Sequence, residues 1–503
     1  MYQETQNQLT FSDDFFLPFG GKLNKENRWV LLAEIVPWGK AEEKYAKAFK
    51  NSFKGEKALS VRVALGALFI QERLGCSDRE TVQQITENPY LQYFIGLPSF
   101  QETAPFHHSL MTHFRKRLGP DIINEVNEWI VMEEQKQDKE NDDNDQDSNP
   151  PSNSDSSEDV VEPDTNVSEE MTNNGKLWLD ATCAPADIAY PTDLGLLNEA
   201  REKLEHIIDV LHEPLKGSKQ KPRTYRKKVR KDYLTIAKQR KVGTKKMHKA
   251  VGKQLRYVKR DLGIIQELVS QSSLSLLSKQ EYRELLVIQE LYRQQEEMHR
   301  TKTHRIDDRI VSISQPHVRP IVRGKAKANV EFGSKVAVSV VDGYVLVEKL
   351  DWDNFNEGIT LQESVENYRN RFGFYPEAVL ADKIYRNREN LQYCKERGIR
   401  LSGPKLGRPS KEEDTAQRLL AKKDASERNA VEGKFGEGKR SYGLGLIRAR
   451  LQDTSETVVC IQFLVMNLER KLRVLFCHFF RELFARMAVS ENFQLVIRSA
   501  SPS

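Results

Sequence analysis

The sequence predicts an α/β fold, a mixed sheet with flanking helices, carrying a basic helical insertion and preceded by an all-α segment. Three observations lead there. Two short apolar runs, Lys176-Leu-Trp-Leu-Asp180 and Glu377-Ala-Val-Leu-Ala-Asp382, read as strands that each end in an acid. Residues 334–352 read as two adjacent strands turned at Asp342-Gly343, a dipeptide suited to tight hairpins. The order along the chain is strand with acid, insertion, hairpin, helix, strand with acid, helix with acid. That interleaving builds a sheet covered by helices.

Taken in order, residues 1–25 read as an irregular arm, and helical periodicity runs from Trp29 to about Glu134. Ser77-Asp-Arg-Glu80 has the form of a capping box, Ser at the N-cap and Glu three residues on, and Pro89 ends or interrupts the helix it opens. A further helix from Ser109 is expected to stop at Gly119-Pro120. Its basic face (His113, Arg115, Lys116, Arg117) suits a small DNA-binding domain, and equally a plain helical bundle with one solvated face.

Residues 135–174 are acidic and rich in Ser, Asn and Pro, with fifteen Asp/Glu against two Lys between Glu133 and Glu170. Such a segment lacks the apolar surface to offset its ordering entropy, so a disordered linker is expected; a DNA-mimicking shield is the alternative. After the first strand, an amphipathic helix spans Leu196 to His212, and extended structure returns at Arg309-Ile-Val-Ser-Ile. A helix at 361–371 precedes the second acid-ended strand. The apolar stretch 458–480 reads as a core helix on the sheet, with an oligomer interface as the other option. The expected domains are 1–134, helical; 135–174, linker; 175–485, the α/β domain with its insertion at 216–305; and 486–503, a C-terminal tail.

The 503 residues allow about three domains. Net charge is only +5, but between Lys216 and Arg260 stand nineteen Lys/Arg against one Asp. Charge that dense repels itself unless a polyanion neutralises it, so this region, with Lys227, Lys228, Arg230 and Lys231 at its centre, is expected to contact DNA; a solvated helical face is the alternative. The five cysteines are scattered, with no paired spacing, which disfavours a zinc site or disulfide framework and suits a reducing, cytoplasmic setting. No signal peptide is read at the N-terminus, and 458–480 is too charged to span a bilayer, so a soluble protein with no membrane partner is expected.

The acids carry the chemistry. In Arg428-Asn-Ala-Val-Glu432-Gly-Lys-Phe-Gly-Glu-Gly-Lys439, an acid stands between two cations at spacings of four and seven. At about 100° per residue the three share one helix face within roughly 40°. That face suits a carboxylate holding a metal beside cations holding phosphates. With Asp180 and Asp382, it forms a hard-oxygen set of the kind that binds two Mg²⁺ ions, with Mn²⁺ a possible substitute, for in-line phosphodiester chemistry. Asp187 and Asp193 compete for the first position; Asp180 is preferred because an apolar strand leads into it. Lys383, Tyr385 and Arg386 follow the second acid as phosphate contacts or as a solvated helix start. His317 is a phosphate contact or a structural loop histidine, in a stretch with Arg319, Arg323, Lys325 and Lys327. Gly436 and Gly438 form a bare G-x-G, too weak a signal for a phosphate loop.

The segments WLDATCAPADIAYPTDLGLLNEAR, AVLADKIYRNRENLQYCKERGIRLSGPKLG and ERNAVEGKFGEGKRSYGLGLIRARL resemble those of bacterial insertion-sequence DDE transposases of the insertion-sequence-5-like group. The resemblance extends to the helical N-terminal segment. It implies a ribonuclease-H-like catalytic domain whose triad is Asp180, Asp382 and Glu432. Arg428 and Lys439 match the family's Arg-x3-Glu-x6-Lys element, but the Tyr expected three residues before the Arg is Ala425 here. Implied too are binding to terminal inverted repeats, metal-dependent strand cleavage and transfer in double-stranded DNA, a homodimer in the active complex, and a nucleoid setting in a bacterium. A nuclease of the same fold and a non-catalytic DNA-binding descendant remain as alternatives.

Overall fold

The computed structural model describes residues 11–18, 20–49, 58–145, 173–325, 328–403 and 415–499, of which 134–145, 323–325, 328–329, 415–417 and 478–499 are described by their backbone alone. The first described part is helical: α1 (Arg28–Ile35), α2 (Trp38–Lys47), α3 (Val61–Leu74), α4 (Asp78–Glu87), α5 (Pro89–Phe94) and α6 (Leu110–Asp145). Local chemistry sets several of these boundaries. The Ser77 hydroxyl accepts from the Glu80 N–H (3.3 Å), so α4 starts where the cap predicts. Its Glu80 carboxylate accepts from the Gln84 amide instead of completing a capping box. Pro89 opens α5 as its first residue, with Asn88 capping it.

The expected stop at Gly119-Pro120 is only a break. Gly119 takes φ 62°, and the helix resumes at Pro120, whose missing N–H costs nothing in a first turn. The helix then runs on to Asp145, so residues 135–145 are helical and the boundary drawn at 134 falls inside α6. Residues 146–172, the rest of the expected linker, lie outside the described residues, as do Lys327 and residues 1–10 of the arm.

The sheet has six strands: β1 (Lys176–Pro185), β2 (Arg319–Lys325), β3 (Ala328–Val341), β4 (Tyr344–Asp351), β5 (Ala378–Ala381) and β6 (Arg400–Leu401). Its path is β2-β3-β1-β5-β6, with β4 also paired to β3. β1 is antiparallel to β3 and parallel to β5, which makes the sheet mixed. The hairpin β3–β4 turns at Asp342 (φ 49°) and Gly343 (φ 79°), both left-handed, as a two-residue turn of this type requires. β1 does not end at Asp180 as expected but continues five residues to Pro185. No strand forms at 309–313; Ile310, Val311 and Ile313 are buried there without sheet pairing.

Between β1 and β2 the chain forms α7 (Asp193–His212), α8 (Arg226–Ala237), α9 (Thr244–Val269) and α10 (Lys279–Thr301). These helices share a core of their own, in which Leu197, Leu204, Ile208, Val258, Ile288 and Leu291 are buried. The insertion is therefore wider than 216–305: α7 is its first helix, and its core closes at Ile313.

The remaining helices are α11 (Leu361–Phe372), α12 (Arg388–Glu396), α13 (Thr415–Ser441) and α14 (Gln452–Ser499). They cover the two faces of the sheet. Leu177 and Leu179 of β1 and Val379 of β5 pack with α11 and α12 residues. The opposite face, with Val336, Val338 and Val345, joins a core that also holds Val431 and Phe435 of α13, the apolar side of α14, and the N-terminal helices. Of the stretch 458–480, the part up to Leu472 packs on the sheet, and against α6 and α3 as well, whereas Arg473, Leu475 and Cys477 are exposed and the side chains of 478–480 lie outside the described ones. The segment expected as a tail from 486 continues α14 to Ser499. Among the described residues no helix is long and apolar enough to cross a membrane.

Candidate active site

Strand register brings the first two acids together. Leu179 of β1 pairs with Ala381 of β5 in parallel, so the next residues, Asp180 and Asp382, lie side by side at the end of β5. Successive side chains alternate across a sheet. Asp180 therefore leaves β1 on the face opposite Leu177 and Leu179, the face over which α13 lies.

α13 is fixed to the sheet edge by charge and by packing. Glu427 accepts from Lys176 Nζ (2.8 and 3.0 Å), and Asp424 pairs with Arg400 of β6 (3.2 Å for one of its two bonds). Val431 and Phe435 turn into the core, while Glu432, Gly436 and Lys439 line a cleft of about 780 Å³. The same cleft is lined by Asp180, Asp382, Glu357 and Lys335. Of the residues singled out in the sequence, Asp180, Asp382, Glu432 and Lys439 converge on this one space.

Arg428 bonds directly to one of them, its Nη1 lying 2.7 Å from Asp382 Oδ1. Burial tends to raise the Asp382 carboxyl, but the Lys383 backbone N–H (2.6 Å), the Arg428 guanidinium and the Lys383 charge outweigh it and hold the group below its ordinary range. Asp180 behaves oppositely. Burial, reinforced by the nearby charges of Glu357 and Asp382, pushes its carboxyl up to about 6, against the pull of the Ala181 N–H (2.8 Å) and Arg428. Burial and like charge dominate at Asp180, whereas direct hydrogen bonding and the guanidinium dominate at Asp382, so the two neighbouring carboxyls are displaced in opposite directions.

Two cleft residues carried no sequence signal. Glu357 reaches the cleft from the turn after β4, and Lys335 from β3, where it is 8% exposed. Lys335 Nζ lies 2.9 Å from Glu357 Oε1 and donates to the Phe355 carbonyl (2.8 Å) and Asn354 Oδ1 (3.3 Å). Lys335 faces Asp351 at the end of β4, which brings Glu357 within its reach, and the β3–β1 register sets both beside the strand of Asp180, a placement that local spacing does not reveal.

Other candidates lie elsewhere. Asp193 is held by Arg309 (2.8 Å) and Gln295 (2.9 Å) at the base of the insertion, and exposed Asp187 donates its N–H to the Ile447 carbonyl; neither lines the cleft. Arg386 donates to the carbonyls of Leu401 (2.6 Å) and Ser402 (2.8 Å), which ties it to β6, and Tyr385 is fully buried. Lys383 is exposed beside the second acid, and Lys227, Lys228, Arg230 and Lys231 are exposed on α8. His317 stands edge-on to Trp352 with its Nε2 buried and unpartnered; burial, with Arg283 and Arg319 nearby, lowers it to about 4, so it sits neutral as a packing residue.

Among the described residues no three of the acids, histidines or cysteines are gathered closely enough to hold a metal ion as they stand. The donor chemistry nonetheless fits a hard divalent ion: four carboxylates (Asp180, Glu357, Asp382 and Glu432) line one space, and a guanidinium already sits on one of them.

Residues 379–469 match the model of a transposase DDE domain, and residues 18–117 that of a transposase domain (DUF772). Over 104 residues the chain is 34% identical to "Uncharacterized protein ORF8 in nfe locus" of Rhizobium meliloti, a match covering 21% of this chain and 49% of that protein. The chain thus spans about half the length of the curated relative it matches. No solved structure matches. Both matched models are of transposases, and the resemblance read from the sequence holds at that level. Asp382, Arg428, Glu432 and Lys439 fall inside the first match; Asp180 falls outside both.

Proposed function

We propose that this chain, with transposase matches toward each end, is an enzyme that cuts and rejoins DNA at the ends of its own mobile element, with Asp180, Asp382 and Glu432 as its catalytic acids. The observation that carries the reading is their convergence, with Lys439, on one cleft between the sheet and α13. The mixed sheet, in which β1 is parallel to β5 and antiparallel to β3, supports a ribonuclease-H-like domain.

The three carboxylates are the residues that would hold Mg²⁺, or Mn²⁺ in its place. Bound there, such an ion supplies Lewis acidity to a phosphodiester oxygen and lowers the pKa of an attacking water. The chain's own groups do the rest. Lys439 and, once released from Asp382, Arg428 neutralise non-bridging phosphate oxygens and set the phosphorus in line. Lys335 holds Glu357 to one side, so that its charge raises the proton affinity of Asp180 without leaving the cleft. In cleavage, the water oxygen bonds to phosphorus, the bond to the 3′ oxygen breaks, and that oxygen leaves as a 3′-OH after taking up a proton. In strand transfer, the freed 3′-OH replaces water as the nucleophile: its oxygen bonds to a phosphorus of the target and gives up its proton, the bond from that phosphorus to the target's own 3′ oxygen breaks, and that oxygen leaves as a new 3′-OH. Handling two element ends calls for two copies of the chain, and the exposed cations of α8 supply sequence-independent DNA affinity.

The test is a gel assay with labelled DNA carrying the sequences that flank the coding region, with Mg²⁺ or Mn²⁺, beside Glu432→Gln. Metal-dependent nicking with strand-transfer products, all lost in the variant, is the expected result. Cleavage without joining would reduce the activity to that of a nuclease, and binding without cleavage to that of a DNA-binding protein.

A further inference from the structure

A second cleft, of about 860 Å³, adjoins the first, and Lys439 lines both. Its walls come from parts of the chain far apart in sequence: the end of α3, the start of α4, α6, α14, and the segment 440–451. That segment leaves α13 through Gly443 (φ 78°) and runs alongside the end of β1, where Ile447 takes a hydrogen bond partner on each side: its N–H donates to Pro185 (2.8 Å) and its carbonyl accepts from Asp187 (3.1 Å). Pinned in this way, it alternates. Ile447 and Ala449 pack on the shared core, while Arg448 and Arg450 are exposed.

Arg440, Arg448 and Arg450 all line this cleft, are exposed, and form no ion pair among the described residues. The acids beside them are already engaged. Asp78 is paired with Arg115, and Glu72 accepts from the Gln462 amide (3.0 Å). Two buried polar atoms in the same walls, Arg115 Nε and Gln462 Oε1, have no partner. Glu72 supplies Arg448 with some nearby negative charge, but three guanidinium groups on one rim still repel one another, and a chain of phosphates relieves that repulsion.

We infer that this second cleft is the track for the DNA backbone running away from the cleaved phosphodiester, with Arg448 and Arg450 as its phosphate contacts and Lys439 as the junction. This rests on the acid-lined cleft being the phosphodiester site. The inference gives these arginines to the phosphate backbone, whose oxygens accept from a guanidinium whatever the sequence. The track also joins the N-terminal helices to the catalytic sheet, so one continuous piece of DNA touches both.

The experiment measures binding of the full-length protein to long labelled duplexes by fluorescence anisotropy across a KCl series. It compares wild type with Arg448→Gln/Arg450→Gln and with Arg448→Lys/Arg450→Lys. The glutamine pair should weaken binding to every sequence and make the log–log salt slope shallower by about two, one per lost phosphate contact. The lysine pair, which keeps the charge, should recover most of both. Unchanged affinity and slope in the glutamine pair overturn the track. Glu432→Gln, assayed for cleavage on the same DNA, separates the two ideas. If wild type cuts, Glu432→Gln does not, and the glutamine pair binds normally, the track alone is wrong. If the glutamine pair loses its contacts but wild type never cuts, the catalytic reading fails and with it the track's course away from a cut, while the phosphate contacts of Arg448 and Arg450 stand. A wild type that does not bind DNA overturns both.

Discussion

Arg428 holds Asp382 at 2.7 Å, so the second acid of the cleft is neutralised by a neighbour eleven residues before Lys439 on the same helix. A metal ion bound at the proposed site would compete with this guanidinium for one carboxylate. The pair is substantially exposed, and its direct contribution to folding is therefore small, on the order of 0.2–1 kcal/mol. Its effect on ligands is larger in kind. Arg428→Gln should tighten Mn²⁺ binding a few-fold, as read by calorimetry, while weakening duplex DNA binding, because the same group is needed for phosphate. Equal loss of both affinities would mean that Arg428 only props Asp382 in place.

The raised carboxyl of Asp180 makes stability depend on pH in a predictable direction. Its folded value of about 6 lies above the ordinary one for Asp, so its share of stability is complete below about pH 4 and is lost as pH rises through about 6. Asp261, buried in the insertion, is likewise pushed up to about 6 by burial, despite its pairing with Arg260 (2.8 Å), and adds to the same loss. Asp382, held low, works the other way and weakens the fold as pH falls. Asp180→Asn should flatten the metal-free stability curve between pH 4.5 and 7 by an amount on the order of 1–2 kcal/mol. Urea melts at several pH values measure it, and a curve as steep as that of wild type would contradict the assignment.

At Gly333, β3 lies directly against the backbone of the end of β1. This glycine pairs with Pro185, and a Cβ there would lie 2.1 Å from the Ala184 carbonyl oxygen, a backbone atom that cannot turn aside. Gly333→Ala should therefore cost at least about 2 kcal/mol and shift the far end of the strand that carries Asp180. Thermal denaturation, with cleavage activity measured alongside, reads both effects.

In the insertion, Arg201 is 1% exposed among Asn198, Glu202 and Glu205, and its loss leaves Glu205, itself 5% exposed, without its closest partner. Arg201→Ala should destabilise the insertion by about 3–5 kcal/mol. Because these helices have their own core, limited proteolysis should show cuts confined to 193–313 while the rest stays protected. Uniform degradation would show that the insertion and the sheet fold together.

What was legible in the sequence was what neighbours decide. The Ser77 cap, the Asp342-Gly343 turn and the shared face of Glu432 and Lys439 all depend on residues within a few positions of one another, and each stands as spacing predicts. The acid-ended strands were legible as strands, although β1 outran its acid because Ala181 to Pro185 go on pairing with β3. Gly119-Pro120 misled because the same dipeptide that stops one helix suits the first turn of the next. Glu357, Lys335 and the turning of Arg386 onto β6 were not legible at all. They follow from which strands lie side by side, a property of the whole sheet. The placement of α7 in the insertion's core was hidden for a similar reason: an amphipathic helix shows that it has an apolar face, not which partner the face meets.

α14 lies against α6, α3 and the sheet within one continuous core. Two parts that share a core cannot change their spacing without exposing it. If the N-terminal helices grip DNA and the acid-lined cleft cuts it, as proposed, the shared core would hold grip and cut a set number of base pairs apart, a rigid gauge for the place of the cut; lengthening or shortening the DNA between them by a single base pair would then turn the scissile bond away from the acids.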